Sequence, residues 1–468
     1  MMRRLLPGFP IRRAPAGCAL ALLLAAAALA QSNGDGDWKL EQVTLKNGRS
    51  YGGLVLKEPA DEVVFQIVRR KPGRVPVVFT ATFPRGEVKR LDKLAGKDRD
   101  ELVARINALT ADGTPDDPRL KYPELKPAVF VGSERKDGLR YESDHFELFS
   151  NAGEDVVRRA AARLEQIYAA YAFHLPPVNR PAKPNTTTRI YLFQSLPEYQ
   201  AVLKGRNIFN PAFYDASANE IICAAELKPL TRQLEEVRRH QAEQLERLKK
   251  QEAEVARLPK GEVQERARQQ LQEARRELTV AAARNEELFR AATRQLFHSL
   301  YHEAFHAYLA NFVFPPDKGE VPRWLNEGLA QIFETAITAG NELNVGQVDP
   351  ARLEMAKTLA GKDGLVPLTD LLRSNAAQFV VAHGQDRQAA DRYYLTAWAL
   401  MHYLMIERKL LGSAALDDYL AALNGKLDPV KGTRERPADP LEALSKLAGQ
   451  PIPQLDKELR DYILKLQP

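Results

Sequence analysis

Cysteine is nearly absent from this sequence: its 468 residues include two, Cys18 and Cys223. That excludes a disulfide framework and any zinc-finger array of paired cysteines. A strong excess of one charge is also missing, with 67 Lys and Arg against 61 Asp and Glu. Beyond the first 30 residues there is no long apolar run, so a polytopic membrane protein is excluded. At 44% hydrophobic and 27% charged, the chain is neither collagen-like nor wholly disordered, and its length suits about three domains.

What charge there is sits mostly at the front. The formal +6 and pI of about 9.0 taken alone point to nucleic acid or an acidic surface. Residues 1–30, however, read as a secretory signal: Arg3, Arg4, Arg12 and Arg13 precede the apolar run Ala19–Leu29, and Ala28-Leu29-Ala30 offers a small-x-small cleavage site. Cleavage there takes four from the 67 basic residues and none from the 61 acidic ones, leaving a charge of about +2. The reading is then an exported protein, periplasmic, in the cell envelope or secreted, with no integral membrane segment after cleavage and no nucleic-acid partner. Retention of the run as an anchor is the competing reading. Cys223, the remaining thiol, lies in the apolar run Ile221–Ala224 and reads as a buried small hydrophobe.

The fold class is α+β, mainly helical. Residues 31–95 predict a small SH3- or Sm-like β-barrel: short Val-rich segments bounded by Gly or Pro, with Asn47-Gly48 as a type I′ hairpin signal. A helix and a turn-rich linker, Asp112–Pro118, fill 96–135. The main domain spans 136–410 and starts with a β-α-β-α-β order: a strand at Phe146–Phe149, a helix over Glu154–Phe173, a strand at Arg189–Phe193, a short helix after Ser195, and a strand at Glu220–Ala224. Inserted in it, 226–290 is rich in Glu, Gln, Arg, Lys, Ala and Leu with apolar residues at three- and four-residue steps, broken by Leu258-Pro259-Lys260-Gly261. This predicts an antiparallel coiled-coil hairpin with arms of roughly 40 Å, offering a surface for a protein partner or for self-association. Residues 411–468 form a helical tail.

Three of the eight histidines fall within His298–His306. His302-Glu303-Ala304-Phe305-His306 is an H-E-x-x-H on a helix, a spacing that puts both imidazoles on one face, one turn apart. They can share one Zn²⁺, and Glu303 projects close enough to act as general base on its water. Pro322–Ala330 supplies Glu327 as the third ligand: a chain break after the first helix and an antiparallel second helix return that carboxylate to the metal. Two histidines, a carboxylate and an open water position make a catalytic site rather than a closed structural one. His298 stands one turn before His302 as a further polar neighbour or an exposed side chain, and His402 reads as a satisfied core histidine.

H-E-x-x-H followed by Trp324-Leu325-Asn326-Glu327-Gly328-Leu329-Ala330 resembles the gluzincin, peptidase-MA-like metallopeptidases. Residues from about Tyr141 to 410 resemble more closely an exported gluzincin-like family known only as a domain of unknown function, on the strength of Asp144-His145-Phe146, the Leu- and Tyr-rich helix after it, and Tyr394–Leu400. The resemblance implies zinc on His302, His306 and Glu327, Glu303 as catalytic acid/base, and an edge strand before the zinc helix that pairs with an extended peptide or protein substrate, with Glu220–Ala224 the nearest strand. Tyr394 is the residue that would stabilise the oxyanion; a packed aromatic beside Trp398 is the other reading. One position departs from the family pattern: one turn after the third ligand, where many gluzincins carry an acid that orients a histidine, stands Gln331, with Glu334 further on.

The function that follows is a zinc-dependent metallopeptidase. Two other readings stand beside it: a catalytically silent envelope scaffold built on the coiled coil and the β-module, and a zinc hydrolase of a non-peptide amide.

Overall fold

The computed structural model describes residues 38–71, 74–110, 123–132, 137–177, 187–203, 211–314, 321–339, 342–379, 387–425 and 437–467. The leader expected over 1–30 and the linker expected at Asp112–Pro118 lie outside them. Among the described residues no helix is long and apolar enough to cross a membrane.

The N-terminal strands β1 (Glu41–Leu45), β2 (Ser50–Lys57), β3 (Glu62–Arg69), β4 (Val77–Pro84) and β5 (Val88–Asp92) form an antiparallel sheet in the order β4-β3-β2-β1-β5. The barrel expected from the sequence does not close, because β4 and β5 are the two edges and do not pair with each other. Both faces are covered by helices instead. Val63, Phe65 and Ile67 of β3 pack with Phe79 and Phe83 towards Phe173, while Leu54, Val68 and Val78 pack on Leu102, Ile106 and Leu109 of α1 (Gly96–Thr110). A sheet buried on both faces by helices gains little from curling onto itself. The Asn47-Gly48 hairpin forms between β1 and β2, but its turn differs from the expected type I′. Gly48 N–H donates to Leu45 O and Leu45 N–H to Arg49 O, and only Gly48 takes a positive φ, +87°. This three-residue loop needs a single left-handed position, which glycine fills.

A second, mixed sheet runs β10-β11-β9-β8-β7-β6: β6 (Lys126–Ala128), β7 (Gly138–Glu142), β8 (Phe146–Ser150), β9 (Thr188–Phe193), β10 (Ala212–Asp215) and β11 (Glu220–Ala224). The β8–β9 and β9–β11 pairs are parallel, joined through α2 (Glu154–His174) and through α3 (Leu196–Val202) with β10. The α2 helix forms because Val157, Ala160, Ala161, Leu164, Tyr168 and Tyr171 recur at helical spacing, and all six are buried. Cys223 is buried in β11, as its apolar surroundings predict.

The hairpin consists of α4 (Lys228–Arg257) and α5 (Glu262–Tyr308), joined at 258–261. Its second arm and the histidine helix are one unbroken 47-residue α5, which ends in a π-helical turn, Leu309–Val313. Leu234 and Phe289 join the main core, whereas Leu248 and Ala282, further out, are buried without belonging to it. Beyond α5 come α6 (Arg323–Glu334), the short hairpin β12 (Ile337–Ala339) and β13 (Glu342–Asn344), then α7 (Pro350–Ala360), α8 (Leu368–Leu372), α9 (Ala376–Phe379), α10 (Arg387–His402), α11 (Ala414–Asn424), α12 (Pro440–Ala448) and α13 (Ile452–Lys465). One core runs from Tyr141 in β7 through Trp324 and Trp398 to Ile463 in α13. His402 is a core histidine with both nitrogens engaged, at 2.8 Å from Tyr462 Oη and 3.3 Å from Gly346 O.

Candidate metal centre

The site lies where α5 crosses α6. Contacts pair His306 with Asn326, His302 with Glu327 and Glu334, and His298 with Glu334, so the order of partners reverses and the two helices run antiparallel. Their close approach follows from small and apolar residues: Ala304 and Phe305 on α5, and Leu325, Gly328, Leu329 and Phe333 on α6, are buried, and Phe305 stacks on Phe333 at 5.2 Å. The other side of α6 packs on α10 so tightly that a Cβ on Gly328 would lie 2.8 Å from Ala397 O.

His302, His306 and Glu327 bring one donor atom each within 4.8 Å of one another and could hold a metal ion. His302 Nε2 is 3.1 Å from Glu327 Oε2, and His306 Nε2 is 3.6 Å from Glu327 Oε1. A tetrahedral cation with bonds of about 2.0–2.1 Å spaces its ligands roughly 3.3–3.4 Å apart, a spacing these two separations, each to a different Glu327 oxygen, bracket. The tautomers fit as well. His302 Nδ1 faces Glu334 Oε2 and His306 Nδ1 lies 2.7 Å from Asn326 Oδ1; with the Nδ1 proton donated to each acceptor, Nε2 is the nitrogen that remains towards Glu327.

Burial works against charge on each of these groups. At Glu327 the nearby His306, His302 and Arg323 outweigh it and hold the carboxyl down at about 2. At Glu334 burial is outweighed by His302 and Arg352, again to about 2. Burial prevails at His306, whose pKa falls below its usual value and leaves the imidazole neutral. At His302 burial is outweighed by Glu327 and Glu334, which lift its pKa well above the usual value, so a cation must displace its Nε2 proton, whereas neutral His306 and ionised Glu327 already have the forms that bind metal. Arg323 Nη2 lies 2.6 Å from Glu327 Oε1 as a surface-side counter-ion.

Glu303 lies on the same face of α5, and its Oε2 accepts Tyr214 N–H of β10 at 2.8 Å. This corrects the expected edge strand. Glu220–Ala224 is interior, between β9 and β10, and the edge beside the histidine helix is β10. Tyr394 on α10 also reaches the site. Burial, then the negative charge of Glu327, pushes its hydroxyl up to about 12, with Arg323 opposing and Glu303 adding to the rise. Its ring meets Phe379 edge-on at 5.1 Å.

The acid that orients His302 is Glu334, not the residue one turn after the ligand. Gln331 instead donates to Glu327 O and Tyr394 O, both at 3.2 Å, and so ties α6 to α10. Glu334 in turn pairs with Arg352 of α7, and His298 Nε2 stands 3.8 Å away. Glu334 was legible in principle, since a spacing of two helical turns returns a side chain to the same face. Tyr214 was not, because its contribution is a backbone N–H.

Residues 297–417 match a family described as "Protein of unknown function (DUF1570)". The matched stretch carries His302, Glu303, His306, Glu327, Glu334 and Tyr394; it leaves out both sheets and most of the hairpin. No curated protein and no solved structure matches the chain.

Proposed function

We propose that this protein is an exported zinc-dependent metallopeptidase of gluzincin type. The observation that carries the reading is the convergence of two Nε2 atoms and a buried carboxylate at metal-ligand spacing, with the acid Glu303, outside the ligand group, on the same helix. A purely structural site has no use for that acid, and would take a fourth protein ligand instead.

His302, His306 and Glu327 would hold the cation. A bound Zn²⁺ supplies Lewis acidity, lowering the pKa of water from 15.7 to about 7 and polarising a carbonyl. Glu303 takes the proton from the attacking water and delivers it to the leaving amine. The Tyr214 N–H fixes one oxygen of that carboxylate, so the other faces the reaction. Tyr394, beside Arg323, donates its hydroxyl to the developing oxyanion; the raised pKa keeps it protonated at neutral pH. The edge strand β10 is a template on which an extended peptide can add as a further strand.

The test is metal analysis of the purified chain together with digestion of a broad peptide library by parent and Glu303→Gln proteins. One zinc per chain in both is expected, with cleavage by the parent alone and a loss of about 10²–10⁴ in kcat for the variant, the usual worth of a general base. Full activity in Glu303→Gln, or a parent that binds zinc and cleaves nothing, would overturn the reading.

A further inference from the structure

A cleft of about 770 Å³ lies away from the candidate metal ligands, between the N-terminal sheet and α2. That volume is within the range of small-molecule sites, roughly 300–1,000 Å³. Its floor and walls include apolar groups such as Leu40, Ile67, Val77 and Ala169, and its cations are Arg69, Arg70, Lys71 and Arg74.

Three of these four cations are matched. Arg70 lies 4.3 Å over the Trp38 ring, Arg74 is 5.7 Å from the centroid of Tyr141, and Lys71 pairs with Asp144. The remaining acid of the cleft, Glu165, accepts the Tyr141 hydroxyl at 2.6 Å. Arg69 is different. The alternation Val63, Phe65, Ile67 along β3 points those side chains into the core against α2, and the same parity places residue 69 on that face. Burial draws its pKa below the usual arginine value, and the groups acting against that are the phenols of Tyr51 and Tyr308, not a carboxylate. Among the described residues no carboxylate lies within ion-pairing distance of it. The imidazole that lines the cleft, His145, is itself driven down to about 4, chiefly by burial, and is neutral at pH 7.

A guanidinium held in a walled cavity without a counter-charge is costly, and an oxyanion completes it, since the planar fork matches carboxylate or phosphate with two parallel hydrogen bonds. We propose that this cleft binds a small organic molecule bearing one oxyanion, a carboxylate or a phosphate monoester, on an apolar body. Arg69 grips the oxyanion and the apolar residues of β3, β4 and α2 take the body. Arg70, Lys71 and Arg74 at the same opening raise the local anion concentration. The proposal is independent of the hydrolytic reading, because none of these residues touches the metal ligands.

The experiment is calorimetric titration and thermal unfolding of the full chain with four probes: hippurate, phenyl phosphate, inorganic phosphate and the neutral benzoylglycinamide. One of the two organic anions should bind one-to-one and raise the unfolding temperature; which of them binds more tightly assigns the oxyanion. The neutral amide should not bind, and inorganic phosphate should bind at least tenfold more weakly than phenyl phosphate. Arg69→Met should weaken the binding at least tenfold and, without ligand, unfold at the same temperature as the parent or higher, because a half-buried charge without a carboxylate partner has been removed. Arg69→Lys, which keeps the charge but not the fork, should fall between the two. Absence of binding by both organic anions, equal binding by Arg69→Met, or a large loss of unliganded stability in Arg69→Met would each overturn the proposal, the last by showing that Arg69 serves the fold. Phosphate binding as tightly as phenyl phosphate would overturn the apolar half of it.

Discussion

Glu334 shows how one side chain decides the quality of the site. It lies two turns beyond Glu327 on α6, is 6% exposed, and joins His302 to Arg352. The imidazole is thereby held in the tautomer that offers Nε2, and its basicity is raised by the negative charge behind it. Glu334→Gln keeps the size and an acceptor oxygen but removes that charge. Metal affinity, read by competition with a chromogenic chelator, should fall about 10- to 100-fold with the circular dichroism unchanged. Gln331→Ala removes only hydrogen bonds to Glu327 O and Tyr394 O, so it should leave that affinity near the parent value. The reverse ranking would make Gln331, rather than Glu334, the residue that orients the site.

At the scale of elements, α6 is the part on which the rest depends. It presents Asn326, Glu327 and Glu334 to α5 and buries Gly328 against α10, the helix that carries Tyr394. A methyl at position 328 would press on Met401 Cγ and on Ala397 O, and backbone cannot yield as a flexible side chain can. Gly328→Ala should therefore cost roughly 1–3 kcal/mol of stability, the usual range for overpacking. It should also separate Glu327 from Tyr394, so the peptidase activity proposed above should drop more than metal affinity does. Measured together, thermal midpoint, metal binding and kcat test this; an unchanged midpoint would mean that the two helices slide apart freely. The strand β10 matters as much for Glu303, yet Ala212–Asp215 is too short a segment for alternation to announce it.

Across the whole molecule, the distal hairpin and two half-buried histidines, His174 of α2 and His145 just before β8, make separate predictions. Between residues 235 and 281 no described residue of the hairpin joins the common core. Excising residues 240–281 and closing the gap with a short turn should leave the core's thermal midpoint in place. Metal affinity should stay within about twofold, since sites more than roughly 10 Å apart with no shared partners act independently. A marked drop in either would show that the arm braces the metal helix. The pH dependence of folding comes from elsewhere. His145 and His174 are both lowered by burial, from 6.5 to about 4, so between those values the unfolded chain binds protons that the folded chain does not. Stability present above pH 6.5 is lost as pH falls towards 4, by about 1.4 kcal/mol per pH unit for each histidine, and the loss levels off below that. Denaturant titrations in chelator should show a shallower slope over this window for His174→Gln than for the parent; parallel curves would place a solvated, protonated His174 in the folded state.

Local periodicity by itself determined much of this protein. The helices α2, α4, α5, α10 and α13 and the strand β11 follow from spacing along the chain, as does the sharing of one helix face by His302 and His306, because residues a few positions apart are placed by backbone geometry alone. The tertiary structure decided the rest. It left the N-terminal sheet open, since two helices bury its faces; it made β10 rather than β11 the edge beside Glu303; it brought Glu334 to His302 across 32 residues. It also set Arg69 in the wall of a cleft where no acid among the described residues pairs with it. Each of these joins segments far apart in sequence, and which of them meet is set by how helices and sheets cover one another's apolar faces, which no local spacing records.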